Sequence, residues 1–166
     1  MTTAQHGSTH QEATIEAVPD MPVIKITRDF DATPAQLVRA HTDRDLFVRW
    51  IGPNGMGVRI DRWNATTGGS YRYGNSRDGE EFWFYGSFHY VGEDRLVQTF
   101  TWEGMPEGVS LETMTFEDLG GGRSRMVSTA VVETIEARDA MLASGMEVGI
   151  NDGYAKLDAL LAEGAA

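Results

Sequence analysis

Three residues have side chains that could move a proton once buried: His41 on a predicted short helix, and His89 and Glu112 on predicted strands. None of them stands in a recognisable constellation. The nucleophile elbow G-x-S-x-G, the zinc-binding H-E-x-x-H, the phosphate-cradling P-loop and a G-x-G-x-x-G opening a helix are all missing. The chain has no Cys, which excludes disulfides, thiolate metal sites and a thiol nucleophile. His6 and His10 are one helical turn apart, but the polar residues around them carry no helical period, so solvation is the expectation. Asp43 and Asp45 bracket Arg44 near a helix start, where carboxylates complement the helix dipole. Glu80-Glu81 and Glu117-Asp118 border turns. These residues imply no catalytic group, no metal and no cofactor, and the chain leans away from being an enzyme.

The sequence is richer in aromatic surface at strand spacing. In Phe82–Tyr90 one face carries Phe82, Phe84, Gly86, Phe88 and Tyr90, the other Trp83, Tyr85, Ser87 and His89. Leu96, Gln98, Phe100 and Trp102 share a face, as do Tyr71 with Tyr73 and Met114 with Phe116. Such side chains either fill a core or line a pocket with few polar groups, as small-molecule sites are lined. The candidate lining is Trp50, Tyr71, Tyr73, Phe82, Phe84, Phe88, Gln98, Phe100, Trp102, Met114, Met146, Ile150 and Tyr154. Tyr71, Gln98, His89 and Tyr154 are the polar groups available to orient a ligand.

The elements that must position these residues can be read in order. Residues 1–20 are polar, closed by Pro19 and Pro22, and predict a disordered or loosely attached tail ahead of one domain over residues 21–166. Val23–Phe30 is a β-branched run and a first strand. Thr33-Pro34 is a helix start with Thr33 as N-cap, and Thr42-Asp43 caps a second short helix carrying Leu46, Phe47 and Trp50. Gly52-Pro53-Asn54-Gly55 stops that helix. Six strands follow between residues 56 and 133, separated by turn chemistry short enough to imply hairpins. Within Glu136–Glu163 the residues Met141, Leu142, Met146, Ile150, Tyr154, Leu157, Leu160 and Leu161 recur at spacings of three and four, predicting one long helix. Gly145 and Gly149 lie on or beside that stripe, and close packing on the sheet is their expected compensation.

The prediction is an α+β helix-grip fold: a seven-stranded curved antiparallel sheet around a long C-terminal helix, with two short helices between strands one and two. The net charge of −11 repels phosphate backbones and anionic lipid, so neither nucleic acid nor membrane is an expected partner. No apolar run is long enough to span a bilayer, and the N-terminus has neither a basic nor an apolar signal region. A cytoplasmic location follows by elimination.

The order of residues also resembles a known family. Ile26–Pro34 is similar to the opening strand and entry turn of the START-like, or SRPBCC, superfamily, in its branch related to the activator of the heat-shock-protein-90 ATPase. Trp50-Ile51-Gly52-Pro53, Gly68-Gly69-Ser70-Tyr71-Arg72, Asp78-Gly79, Gly86-Ser87-Phe88 and Asp94-Arg95-Leu96-Val97 match successive motifs of that branch. Glu136–Glu147 and Tyr154–Leu161 resemble the start and end of its final helix. The likeness covers about residues 22–162. It departs from the pattern at Asn64-Ala65-Thr66-Thr67, where an Asp-Leu-Arg-Pro-like stretch is usual, so a contact through the family's arginine there is not carried over.

The resemblance implies a domain that encloses a small hydrophobic or aromatic molecule, such as a lipid or polyketide. It implies two alternatives: a chaperone-ATPase co-factor working through an exposed surface, and a polyketide cyclase-like or hydrolase-like enzyme using His89, His41 or Glu112. The co-factor role goes with an additional N-terminal domain, which twenty polar residues do not supply. A homodimer is a further expectation for so small a domain.

Overall fold

A computed structural model describes residues 11–166. His6 and His10 lie outside the described residues. The elements are β1 (Thr14–Ala17), β2 (Val23–Phe30), α1 (Pro34–Thr42), α2 (Arg44–Trp50), β3 (Gly57–Trp63), β4 (Ser70–Arg77), β5 (Glu80–Val91), β6 (Arg95–Trp102), β7 (Ser110–Gly120), β8 (Arg123–Val131), α3 (Ile135–Ala143) and α4 (Met146–Ala162). All strands are antiparallel in one eight-stranded sheet of order β1-β2-β8-β7-β6-β5-β4-β3. The meander β3–β8 returns its last strand beside β2, and the helices cover the inner face.

Local chemistry starts the short helices as expected. Thr33 and Gln36 form a reciprocal capping box at α1, and Asp43 Oδ1 accepts from the backbone N–H of Asp45 and Leu46 at α2. The carbonyls at the C-terminal end of α1 find less obvious partners. Trp50 Nε1 donates to Ala40 O at 2.9 Å and Trp63 Nε1 to Thr42 O at 2.8 Å. Each indole thereby satisfies a helix-end acceptor while its ring enters the core.

Two expectations need correction. The sheet has eight strands, because Thr14–Ala17 of the presumed tail pairs with β2, Thr14 opposite Thr27 and Ala17 opposite Ile24. Four residues are too few to show a period, and what orders them is distant. Asn151 Oδ1 accepts from Ala13 N at 2.9 Å, Arg28 Nη2 donates to Gln11 O at 3.0 Å, and Arg138 Nη1 donates to the carbonyls of Val18 and Met21. The C-terminal helix, expected to be continuous, is two helices. Gly145 breaks it with φ +82°, a left-handed conformation that costs most residues but not glycine. Gly149 faces Pro53 of the α2–β3 loop rather than the sheet, a Cβ there meeting the proline Cγ at 3.4 Å.

The β5–β6 ladder is interrupted around Gly86, with a register shift between Phe88 and Tyr90. A Cβ at Gly86 would collide with the carbonyl oxygen of Thr99. In place of a ladder bond, the Tyr71 hydroxyl donates to that carbonyl at 2.7 Å, and Ser87 N donates to Thr99 Oγ1 at 2.9 Å.

Candidate functional site

Pairing register sets which side chains meet under the helices. The inward rows are Ile24, Ile26, Arg28 and Phe30 on β2; Tyr71, Tyr73 and Asn75 on β4; Phe84 and Phe88 on β5; and Leu96, Gln98 and Phe100 on β6. On β7 they are Ser110, Glu112, Met114 and Phe116, and on β8 Met126, Ser128 and Ala130. Above them α4 lays Met146, Ile150, Tyr154, Leu157 and Leu160.

These rows form two unlike halves. Around Leu96, Met126 and Leu157, each 0% exposed, the interior is filled. Phe30 meets Tyr154 edge-on at 5.3 Å between centroids, Trp50 stacks on Tyr154 at 6.0 Å, and the Tyr154 hydroxyl points to Met126 Sδ at 3.4 Å. Arg28 lies over the Phe30 ring at 4.5 Å and binds both carboxylate oxygens of Asp158 at 2.8 and 2.6 Å, clamping β2 to α4.

Toward the other end the inward side chains are only half-buried: Phe84, Gln98, Phe100 and Glu112 from the sheet, and Met141, Leu142, Met146 and Ile150 from the helices. Phe84 and Phe100 stack at 5.1 Å, and Phe84 leans on Tyr73 at 5.4 Å. Gln98 Nε2 donates to Glu112 Oε2 at 3.1 Å. Protein atoms crowd Glu112 closely enough that burial pushes its carboxyl up to about 7, against the opposing pull of the Gln98 hydrogen bond. Burial likewise raises the phenols of Tyr71, Tyr73 and Tyr154, with the nearby Glu112 charge adding to each, so all three stay protonated. Glu112 is thus crowded by protein atoms and still keeps some accessible surface.

Three further inward polar atoms lack partners, one of them Arg28 Nε in the closed half. Ser110 is 4% exposed and its Oγ makes no hydrogen bond; Asn75 is 6% exposed and its Oδ1 makes none. Buried polar atoms of this kind are uncommon and mark water or ligand positions.

The expected lining can now be placed. Tyr71, Tyr73, Phe84, Phe88, Gln98, Phe100, Met114, Met146, Ile150 and Tyr154 are brought together, and Trp50 backs them from α2. Phe82 shares their face further along β5, opposite Asn75, and is half-buried. Trp102 has the right parity, but the covered sheet ends there; it is 42% exposed and folds over Gly104. Of the three ionisable candidates only Glu112 stands among the half-buried inward side chains of the sheet. His89 is on the outer face and exposed. His41 is sealed between Trp50 and Phe116, hydrogen-bonded through Nδ1 to Leu37 O at 2.7 Å, and burial lowers its pKa to about 4, so it is neutral. Ser110 and Asn75 escaped the sequence reading, although the period-two spacing 110, 112, 114, 116 would have put Ser110 beside Glu112.

Comparison with known proteins agrees with this geometry. The family model described as "Activator of Hsp90 ATPase homolog 1-like protein" matches residues 31–162. The chain belongs to that family. Its place is the corresponding branch of the START-like superfamily.

No curated protein matches the chain. Among solved structures, a crystal structure of a Rhodobacter sphaeroides protein is similar at 26% identity and TM-score 0.81, covering 90% of this chain and 98% of the other. A solution structure of an Arthrobacter aurescens protein is similar at 25% identity and TM-score 0.81, covering 90% and 91%. A Silicibacter pomeroyi protein of the same family shares the fold at 19% identity and TM-score 0.68, over 86% and 99%. The family fold is consistent with ligand binding. Among the described residues, no helix is long and apolar enough to cross a membrane.

Proposed function

We propose that the chain binds a small, largely apolar or aromatic molecule between its curved sheet and α4, in the half lined by Phe84, Phe100, Met146 and Ile150. The observation that carries this reading is the contrast in packing. Inward apolar side chains next to a fully closed core keep accessible surface, and a ligand would remove that surface from water. An indole-sized ring burying about 200 Å² gains about 5 kcal/mol at the usual apolar coefficient, before the cost of immobilising it. Trp50 and Tyr154 form the inner wall, and Met146 and Ile150 sit on the helix that begins at the left-handed Gly145 junction.

Titration with a neutral fluorescent probe, N-phenyl-1-naphthylamine, tests this by energy transfer from Trp. Saturable binding is expected, with amide shift changes confined to β5, β6 and α4. Ile150→Trp fills the space and is expected to weaken binding at least tenfold without unfolding the domain. No saturable signal, or one that Ile150→Trp leaves unchanged, rejects the reading.

A further inference from the structure

We infer that the molecule held here carries a hydrogen-bond donor, an amine or a hydroxyl, at one end of its apolar body, seated against Glu112 and Ser110, and that carboxylic acids are disfavoured. This rests on the interior-binding reading above and specifies its ligand. The first ground is the inventory of polar groups. Glu112 offers Oε1 beyond the Oε2 that Gln98 already engages, and the unpartnered Ser110 Oγ lies two residues away on the same inward row. Asn75 Oδ1, inward on β4 and also unpartnered, is a further acceptor. Acceptors predominate, and a donor on the ligand is what would satisfy them.

The second ground is charge. The inward cation among the described residues is Arg28, whose two Nη atoms bind Asp158 and the Gln11 carbonyl and whose unpartnered Nε lies in the closed half, beside Phe30 and Tyr154. Among the described residues no guanidinium or ammonium acts on Glu112, where an anionic head-group would have to sit. The groups facing Glu112 are Gln98 from β6, Tyr71 and Tyr73 from β4, and Tyr154 from α4, all uncharged at neutral pH. A ligand carboxylate would meet Glu112 with no compensating charge, whereas an ammonium would pair with it. The Tyr71 hydroxyl donates to Thr99 O and the Tyr154 hydroxyl points at Met126, so neither competes for the head-group.

The test is a series with one body and four heads: 2-methylnaphthalene, 2-naphthylmethanol, 2-naphthylmethylamine and 2-naphthoic acid, measured by calorimetry or fluorescence on the full chain. The amine and alcohol are expected to bind at least tenfold tighter than methylnaphthalene, and the acid weakest of all. The amine's advantage grows from pH 6 to pH 8 as Glu112 ionises. Glu112→Gln removes about tenfold from the amine and leaves methylnaphthalene unchanged, and Ser110→Ala weakens the alcohol; an amide fingerprint spectrum checks that both variants are folded. Equal affinities across the series, a preference for the acid, or an amine affinity indifferent to Glu112→Gln overturns the inference while the interior-binding reading stands. Failure of all four compounds, methylnaphthalene included, overturns both.

Discussion

Beneath the C-terminal half of α4, Leu157, Leu96 and Met126 have no exposed surface. Toward its N-terminal half, Ile150 and Met146 keep accessible surface, as do the inward Phe84, Phe100 and Glu112 of the sheet. The same helix and sheet thus make a closed core at one end and leave the inward side chains partly accessible at the other. Strand pairing is one difference, since the β5–β6 register shifts between Phe88 and Tyr90. Attachment is the other. The Arg28–Asp158 clamp holds the far end of α4 to β2, whereas its start follows a left-handed glycine and rests on Pro53. Stability is concentrated where the packing is closed, and the proposed site lies where it is not.

The contrast can be broken most directly by deleting apolar volume. Leu157→Ala is expected to cost about 3 kcal/mol in urea unfolding, and Ile150→Ala only about 1 kcal/mol. Equal losses would mean that the two halves are packed alike.

The halves also differ in how they respond to pH. In the open half, Glu112 has its pKa raised from 4.5 to about 7. Its stabilising contribution is therefore complete below about 4.5 and lost as pH rises toward about 7. In the closed half, His41 is lowered from 6.5 to about 4, so its contribution is complete above 6.5 and lost as pH falls toward 4. Between these limits the two slopes oppose each other. Glu112→Gln is expected to stabilise the protein by about 2 kcal/mol at pH 8, allowing for its residual exposure, and to uncover the His41 slope below pH 6.5. Urea unfolding at pH 5, 6.5 and 8 reads both effects.

The smallest contrast comes from one substitution made twice on α4. A Cβ at Gly153 would sit 3.1 Å from the carbonyl oxygen of Trp50, so Gly153→Ala must push α4 off α2 and is expected to cost about 1 kcal/mol. At Gly149 the neighbour is the Pro53 ring at 3.4 Å, and Gly149→Ala is expected to gain about 0.5 kcal/mol from helix propensity. Thermal midpoints moving in opposite directions would sharpen the picture of a tight and a loose end.

Much of the fold was legible because its signals are local. The Thr33 and Asp43 caps and the hairpin turns announce themselves within a few residues, and the alternation of Phe82, Phe84 and Phe88 assigns a face without reference to any neighbour. The break at Gly145 was harder, because the apolar stripe keeps its spacing from Met141 to Met146 and Ile150 across the kink. Strand β1 was illegible because its partners are Thr27 to Ile24, and its anchors Asn151, Arg28 and Arg138 lie far along the chain. For the site, aromatic parity named most of the lining, but Trp102 fell outside because parity does not say where a covered sheet ends.

The sequence alone determined the order of elements, the inward face of each strand and the apolar stripe over them, since propensity, capping and period-two alternation act over a few residues. Only the tertiary structure decided that the eighth strand exists, that His41 is sealed and His89 is outside, and that Glu112 is half-buried while Ser110 is left unpartnered. Burial, pKa and unmet hydrogen bonds are properties of what surrounds a group, and here those surroundings come from β2, β4, β6 and α4 together.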